Sequence, residues 1–170
     1  MKVFGMLLLI LVLAGTGVYV DGARLPYYHT VSVTGVVPAP QDKVFAIITE
    51  VAKGSDWRPT VKSVTILQPE QGRDHWVEHL DYGQYMTFLA TRTEPPMRRD
   101  VLLDEPKASY GGSWTYELSP GPEAFTTTLH ITETGFIKPP LYRFLMFHVI
   151  GPTHNLDQYM KDIQGAAAKP

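Results

Sequence analysis

The stretch from Pro139 to Ile163, PPLYRFLMFHVIGPTHNLDQYMKDI, constrains the fold more than any other. Leu141, Phe144, Leu145 and His148 fall at i, i+3, i+4 and i+7, and Leu156, Tyr159, Met160 and Ile163 repeat the spacing. Such spacing draws one apolar stripe along a helix of roughly seven turns at about 3.6 residues per turn. A stripe this wide must be covered by something. Pro139 and Pro140 suit the first helical positions, where a missing N–H does no harm. Gly151-Pro152 interrupts the middle, so the spacing predicts either a kinked helix or two helices in near-continuation.

The rest of the chain supplies a candidate cover. Leu25 to Val37 reads as a strand, with His29, Val31, Val33 and Gly35 alternating with Thr30, Ser32, Thr34 and Val36. Pro38-Ala39-Pro40 stops it, and Val44, Ile47, Ile48 and Val51 follow at helical spacing, with Gly54 expected as the terminating residue. Six further strands are expected on short turns, over 61–67, 75–82, 84–93, 97–104, 113–118 and 124–134. Strands joined so closely are antiparallel neighbours. The order predicts an α+β domain in which a curved, seven-stranded antiparallel sheet wraps the long C-terminal helix.

The N-terminal segment is of a different kind. Val3 to Val20, VFGMLLLILVLAGTGVYV, carries no charge and reaches the lower length limit for crossing the hydrocarbon layer. It reads as a membrane anchor over residues 1–24 or as a signal segment removed after export; either places the 25–170 domain on the outer side. Lys2 before the run favours an inward N-terminus and Arg24 after it opposes this.

The phrases VVPAPQDKVFAIITEV, WRPTVKSV, GGSWTYEL and TLHITETGFIKPPLYRFLMFHVIGPTHNLDQYM carry a resemblance over about residues 27–164. In their order they resemble the helix-grip fold of the START/SRPBCC superfamily, in its polyketide cyclase/dehydrase-like branch. Members of that branch also occur with an N-terminal hydrophobic anchor. The resemblance is specific for fold and not for reaction, because one fold hosts many functions.

Alternation along the strands then nominates an inner surface. Trp114, Tyr116 and Leu118 share a face, as do Phe125, Thr127, Leu129, Ile131 and Glu133, and as do Trp76, Glu78, Leu80 and Tyr82. Met86 and Phe88, or else Tyr85 and Leu89, join them from the next strand. The rings either interdigitate into a solid core or leave room beneath the helix. The resemblance implies room, and the expected ligand-binding set is Trp76, Glu78, Phe88, Trp114, Tyr116, Leu129, Ile131, Glu133, Phe144 and His148. A buried carboxylate needs a partner or a proton, so Glu78 and Glu133 should find Arg58, Arg92 or His148. The expected guest is a hydrophobic small molecule or lipid. The alternatives are a cyclase, dehydratase or hydrolase using Glu78, Glu133 or His148 as acid and base, and an envelope interaction module with a filled core.

Other chemistries find little support. Net charge is −2, so no basic balance points to nucleic acid. The chain has no cysteine, which removes disulfides, thiolate metal sites and a cysteine nucleophile. His75 and His79 would stand about 13 Å apart along a strand, too far for one metal. No cofactor motif or nucleophile motif is present, and a monomer is expected.

Overall fold

A computed structural model describes residues 2–169. Met1 and Pro170, the outer bounds of the two expected segments, lie outside the described residues, as do the side chains of Lys2, Val3 and Leu8. The order is α1 (Lys2–Arg24), β1 (Tyr28–Val37), α2 (Gln41–Thr49) and α3 (Gly54–Trp57). Then come β2 (Val61–Ile66), β3 (His75–Leu80), β4 (Tyr85–Glu94), β5 (Arg98–Leu103), β6 (Tyr110–Pro120) and β7 (Thr127–Ile137). The chain closes with α4 (Pro140–Leu145), a π turn (Met146–Ile150) and α5 (His154–Ala167).

The strands form one antiparallel sheet in the order β1-β7-β6-β5-β4-β3-β2. Consecutive strands pair except at β1, which closes onto β7 after the whole meander. This is the α+β architecture expected, with a C-terminal helix on the inner face. That helix is α5, whose Leu156, Met160, Ile163 and Ala167 are buried at i, i+4, i+7 and i+11. They meet Val37, Leu129 and Ile131 of the sheet and Val44 and Ile48 of α2 in one core. Gly35 permits the close approach: a Cβ there would stand 2.8 Å from Met160 Sδ. Burying some twenty apolar side chains at about 1.5–3 kcal/mol each is the main force holding these layers together.

Three expectations are corrected. The C-terminal stretch is two helices, the second of the expected forms, but they do not continue one another. The Gly151 N–H bonds to the Met146 carbonyl at 2.9 Å, closing a π turn, and Gly151 then takes φ 98°. With Pro152 next, the chain leaves its axis, and α5 starts in a new direction. α4 packs mainly on α1 and meets the sheet only at β7. The second correction is at β7, which begins at Thr127, three residues later than expected. Phe125 falls in the β6–β7 turn at φ 60° and is 81% exposed, so it leaves the inner set. The third is Gly54, which opens α3 at φ −54° instead of terminating α2.

α1 is one helix of 23 residues, and from Phe4 to Arg24 it is long and apolar enough to cross a membrane. Its C-terminal end is held by Arg143 of α4. The guanidinium donates to the carbonyls of Gly22 (2.8 Å), Ile137 (2.9 Å) and Lys138 (2.7 Å). These acceptors include carbonyls that the helix and strand ends would otherwise leave unpaired.

Candidate ligand-binding site

Over the N-terminal half of α5 the layers do not close. A cavity of about 400 Å³ remains between the sheet, the α2–α3 region and α5. Its walls are Trp76, Phe88, Trp114 and Tyr116 from the strands, Trp57 from α3 and Tyr159 from α5. The period of two delivers them: on β3, Trp76, Glu78 and Leu80 are buried while His75, Val77 and His79 are less so. The β4 register left open by sequence resolves to Met86 and Phe88, because Phe88 pairs with Trp76 and their rings stack at 5.6 Å. Phe88 also meets Trp114 edge-on at 5.9 Å. The rings thus lean on each other around a space, as aromatic pairs favour.

Two carboxylates face this space, each held by an indole and a base. Trp76 Nε1 donates to Glu78 Oε1 at 3.1 Å, and Arg58 forms an ion pair with the same oxygen. Trp114 Nε1 donates to Glu133 Oε2 at 3.1 Å, and His29 Nε2 stands 3.3 Å from Glu133 Oε1. Register explains the second arrangement, since Trp114 and Glu133 are direct cross-strand partners. Of the three cations expected as partners, Arg58 alone is used here. Arg92 binds Glu94 on the surface, and His148 binds Asp21.

The floor is electrically structured. Arg58 lies over the rings of Trp57 (5.4 Å) and Tyr159 (5.6 Å), a cation–π placement. Burial works against its charge, but Tyr159 and Glu78 outweigh burial and raise its pKa, so it remains a cation. Arg99, 1% exposed, stacks behind Trp76 at 5.6 Å and donates to Asp74 at 3.0 Å. Burial, reinforced by Tyr159 whose ring stands 5.5 Å away, pushes the Tyr116 phenol well above its usual range. Burial raises Tyr159 as well, against the pull of Arg58. Both phenols are therefore neutral and able to donate as well as accept.

Of the expected set, the cavity brings together Trp76, Glu78, Phe88, Trp114, Tyr116 and Glu133. Leu129 and Ile131 are fully buried and do not line it. Leu129 pairs with Gly35, which lies against Met160, so it sits under the closed half of α5. Phe144 and His148 are displaced from the cavity altogether. The break at Gly151 turns their helix toward α1, where Phe144 stands beside Gly22. Sequence reasoning did not include Trp57, Arg58 or Tyr159 in the set, although Tyr159 lay on the covering stripe and Arg58 was a possible partner of Glu78. His29 carried a readable signal too, as an inward residue of β1. Among the described residues no cluster of three histidine, cysteine or carboxylate side chains is placed to hold a metal ion.

Residues 37–148 match the protein family described as polyketide cyclase / dehydrase and lipid transport. No functionally curated protein matches the chain significantly. Solved structures do. The Zhui aromatase/cyclase from Streptomyces sp. R1128 superposes with a TM-score of 0.66 at 21% identity, covering 82% of this chain and 93% of its own. A START superfamily protein from Mycobacterium smegmatis gives 0.62 at 19% identity, covering 82% and 97%. Truncated norcoclaurine synthase from Thalictrum flavum gives 0.64 at 11% identity, covering 84% and 95%. At these identities the likeness establishes the fold.

Proposed function

Because the chain belongs to the polyketide cyclase / dehydrase and lipid transport family, we propose that it is a membrane-anchored binding protein for a hydrophobic small molecule held between sheet and α5. The observation that carries this reading is the aromatic cavity of about 400 Å³ with two fixed carboxylates and Arg58 on its wall. Ligand pockets of about 300–1,000 Å³ lined by rings, with a few placed polar groups, suit an apolar guest oriented at one end. A volume at the small end of that range favours a fused-ring or single-chain compound over a two-chain phospholipid. Removal of its apolar surface from water would drive binding at about 25 cal/mol per Å². α1 would span the bilayer and keep the cavity where such a guest concentrates, with the domain on the outer side.

A second reading is favoured by one contact. Glu133 faces the cavity and shares its other side with His29, an acid–base couple that could move a proton during a cyclisation or dehydration. Arg58 and Glu78 are an ion pair and suit anchoring better.

The test uses the full chain extracted in mild detergent. Native mass spectrometry should show a retained small molecule, or uptake of an added naphthalene sulfonate fluorophore. Met86→Trp, which fills the cavity from a half-buried wall position, should abolish both without unfolding the protein. Absence of any guest in the parent protein would overturn the binding reading. Recovery of a supplied compound with altered mass, lost in Glu133→Gln, would establish the second. The same spectra report whether residues 1–20 remain.

A further inference from the structure

One end of the sheet differs from the other. It gathers the start of β1, the β3–β4 turn, the start of β6 and the end of β7, as the antiparallel register requires. Tyr27, Tyr28, Tyr82, Tyr85, Tyr110 and Tyr142 all lie there, each 36% exposed or more. Tyr27 stacks on Phe136 at 5.9 Å and meets Tyr28 edge-on at 4.7 Å, and Tyr110 donates to Gln84 at 2.8 Å. The opposite end has no comparable gathering of rings; Phe125 stands there as a single exposed one.

α1 arrives at the tyrosine end, and α4 packs across it there. Pro140 and Phe144 touch Gly22, and four residues further His148 pairs with Asp21 at 2.9 Å. The segment therefore crosses α1 at its C-terminal end and brings His148 to Asp21, the residue that follows the apolar run. Of the described side chains from Phe4 to Val20 only Val18 is partly covered, one turn before Gly22. Val149 (66% exposed) and Ile150 (46% exposed) lie just past His148 and its contact with Asp21. The chain then turns at Gly151, and His154 and Asn155 line the cavity together with Tyr82 and Tyr110.

We propose that this end is a bilayer-docking face: the tip Val149–Ile150 enters the lipid beside α1, the tyrosines form a belt at the headgroup level, and the cavity rim faces the membrane. The inference rests on α1 spanning the bilayer and extends that reading to a second lipid contact. Tyrosine is enriched at membrane–water boundaries because its ring is apolar and its hydroxyl is wet. A helix lying in that boundary buries its apolar face about 5–10 Å deep. A guest then passes from lipid to cavity without crossing water.

The experiment exploits a chain with no cysteine, so each introduced one is unique. The full chain, bearing a nitrobenzoxadiazole label at Val149→Cys, Tyr28→Cys, Phe125→Cys or Leu11→Cys, is reconstituted into phosphatidylcholine vesicles with or without nitroxide-labelled lipid. All four positions are exposed, and circular dichroism checks that each variant is folded. Labels at Val149 and Tyr28 should be quenched at least about twofold more than one at Phe125, which sits a strand's length, roughly 30 Å, away. Quenching at Leu11 with none at Val149 or Tyr28 overturns the docking face and leaves the anchor standing. No quenching at Leu11 overturns both. A Val149 label shielded from water but not quenched, as a partner chain would give, also overturns the proposal.

Discussion

Glu78 shows what a single side chain can and cannot announce. Alternation on β3 was enough to place it inside, and its burial made a cation necessary. Which cation was a matter of tertiary geometry, because Arg58 reaches it from the end of α3, 20 residues earlier in the chain. His29 reaches Glu133 across 104 residues, and no local pattern links the two. Phe125 misled for the opposite reason: it is apolar and in phase with Thr127 and Leu129, yet the strand begins after it. The Arg58–Glu78 pair carries a prediction. Glu78→Gln should destabilise the protein by about 3–5 kcal/mol in urea unfolding, because Arg58 is left buried without a counter-charge. Glu78→Leu combined with Arg58→Met should recover most of that loss. A loss below about 1 kcal/mol in the single variant would mean that Arg58 simply turns to water.

Among the elements, the strands were legible and their ends were not. Seven alternating runs separated by Gly and Pro gave the sheet, and short turns gave its antiparallel order. β6 nevertheless starts at Tyr110, because Gly111 and Gly112 pair with Phe136 and Gly135 instead of forming a turn. The C-terminal stripe was legible as apolar, but its two halves answer to different partners. Periodicity reports that a face is buried and not what buries it. α4 finds α1, and the contact is tight enough to test. A Cβ on Gly22 would stand 2.1 Å from the Pro140 carbonyl oxygen, and backbone cannot swing aside as a side chain can. Gly22→Ala should therefore loosen α4 from α1 at a cost of about 1–3 kcal/mol. Hydrogen exchange should quicken over residues 140–150 and stay unchanged in β6 and β7. Unchanged exchange throughout would mean the two helices are held elsewhere.

At the scale of the whole molecule, the fold divides into a closed half and an open half. Where α5 passes Gly35 and Ile131 the layers touch, and where it passes Trp76 and Trp114 they are held apart by rings. Composition and pattern could not distinguish the two, since both halves present apolar side chains to the same helix. The resemblance to helix-grip proteins supplied the expectation of a cavity, and packing decides where it lies. The proposed orientation across a bilayer belongs to this scale as well. A tag fused after Pro170 should be removed by protease added to intact spheroplasts, and it should resist when the domain faces the cytoplasm. Arg143 adds a mechanical consequence. It bonds the carbonyls of Gly22, Ile137 and Lys138 with one planar group, so three hydrogen bonds tie the end of α1 to the end of β7. If α1 spans a bilayer as proposed, a twist or tilt of it would reach β7, which bears Glu133, through these bonds.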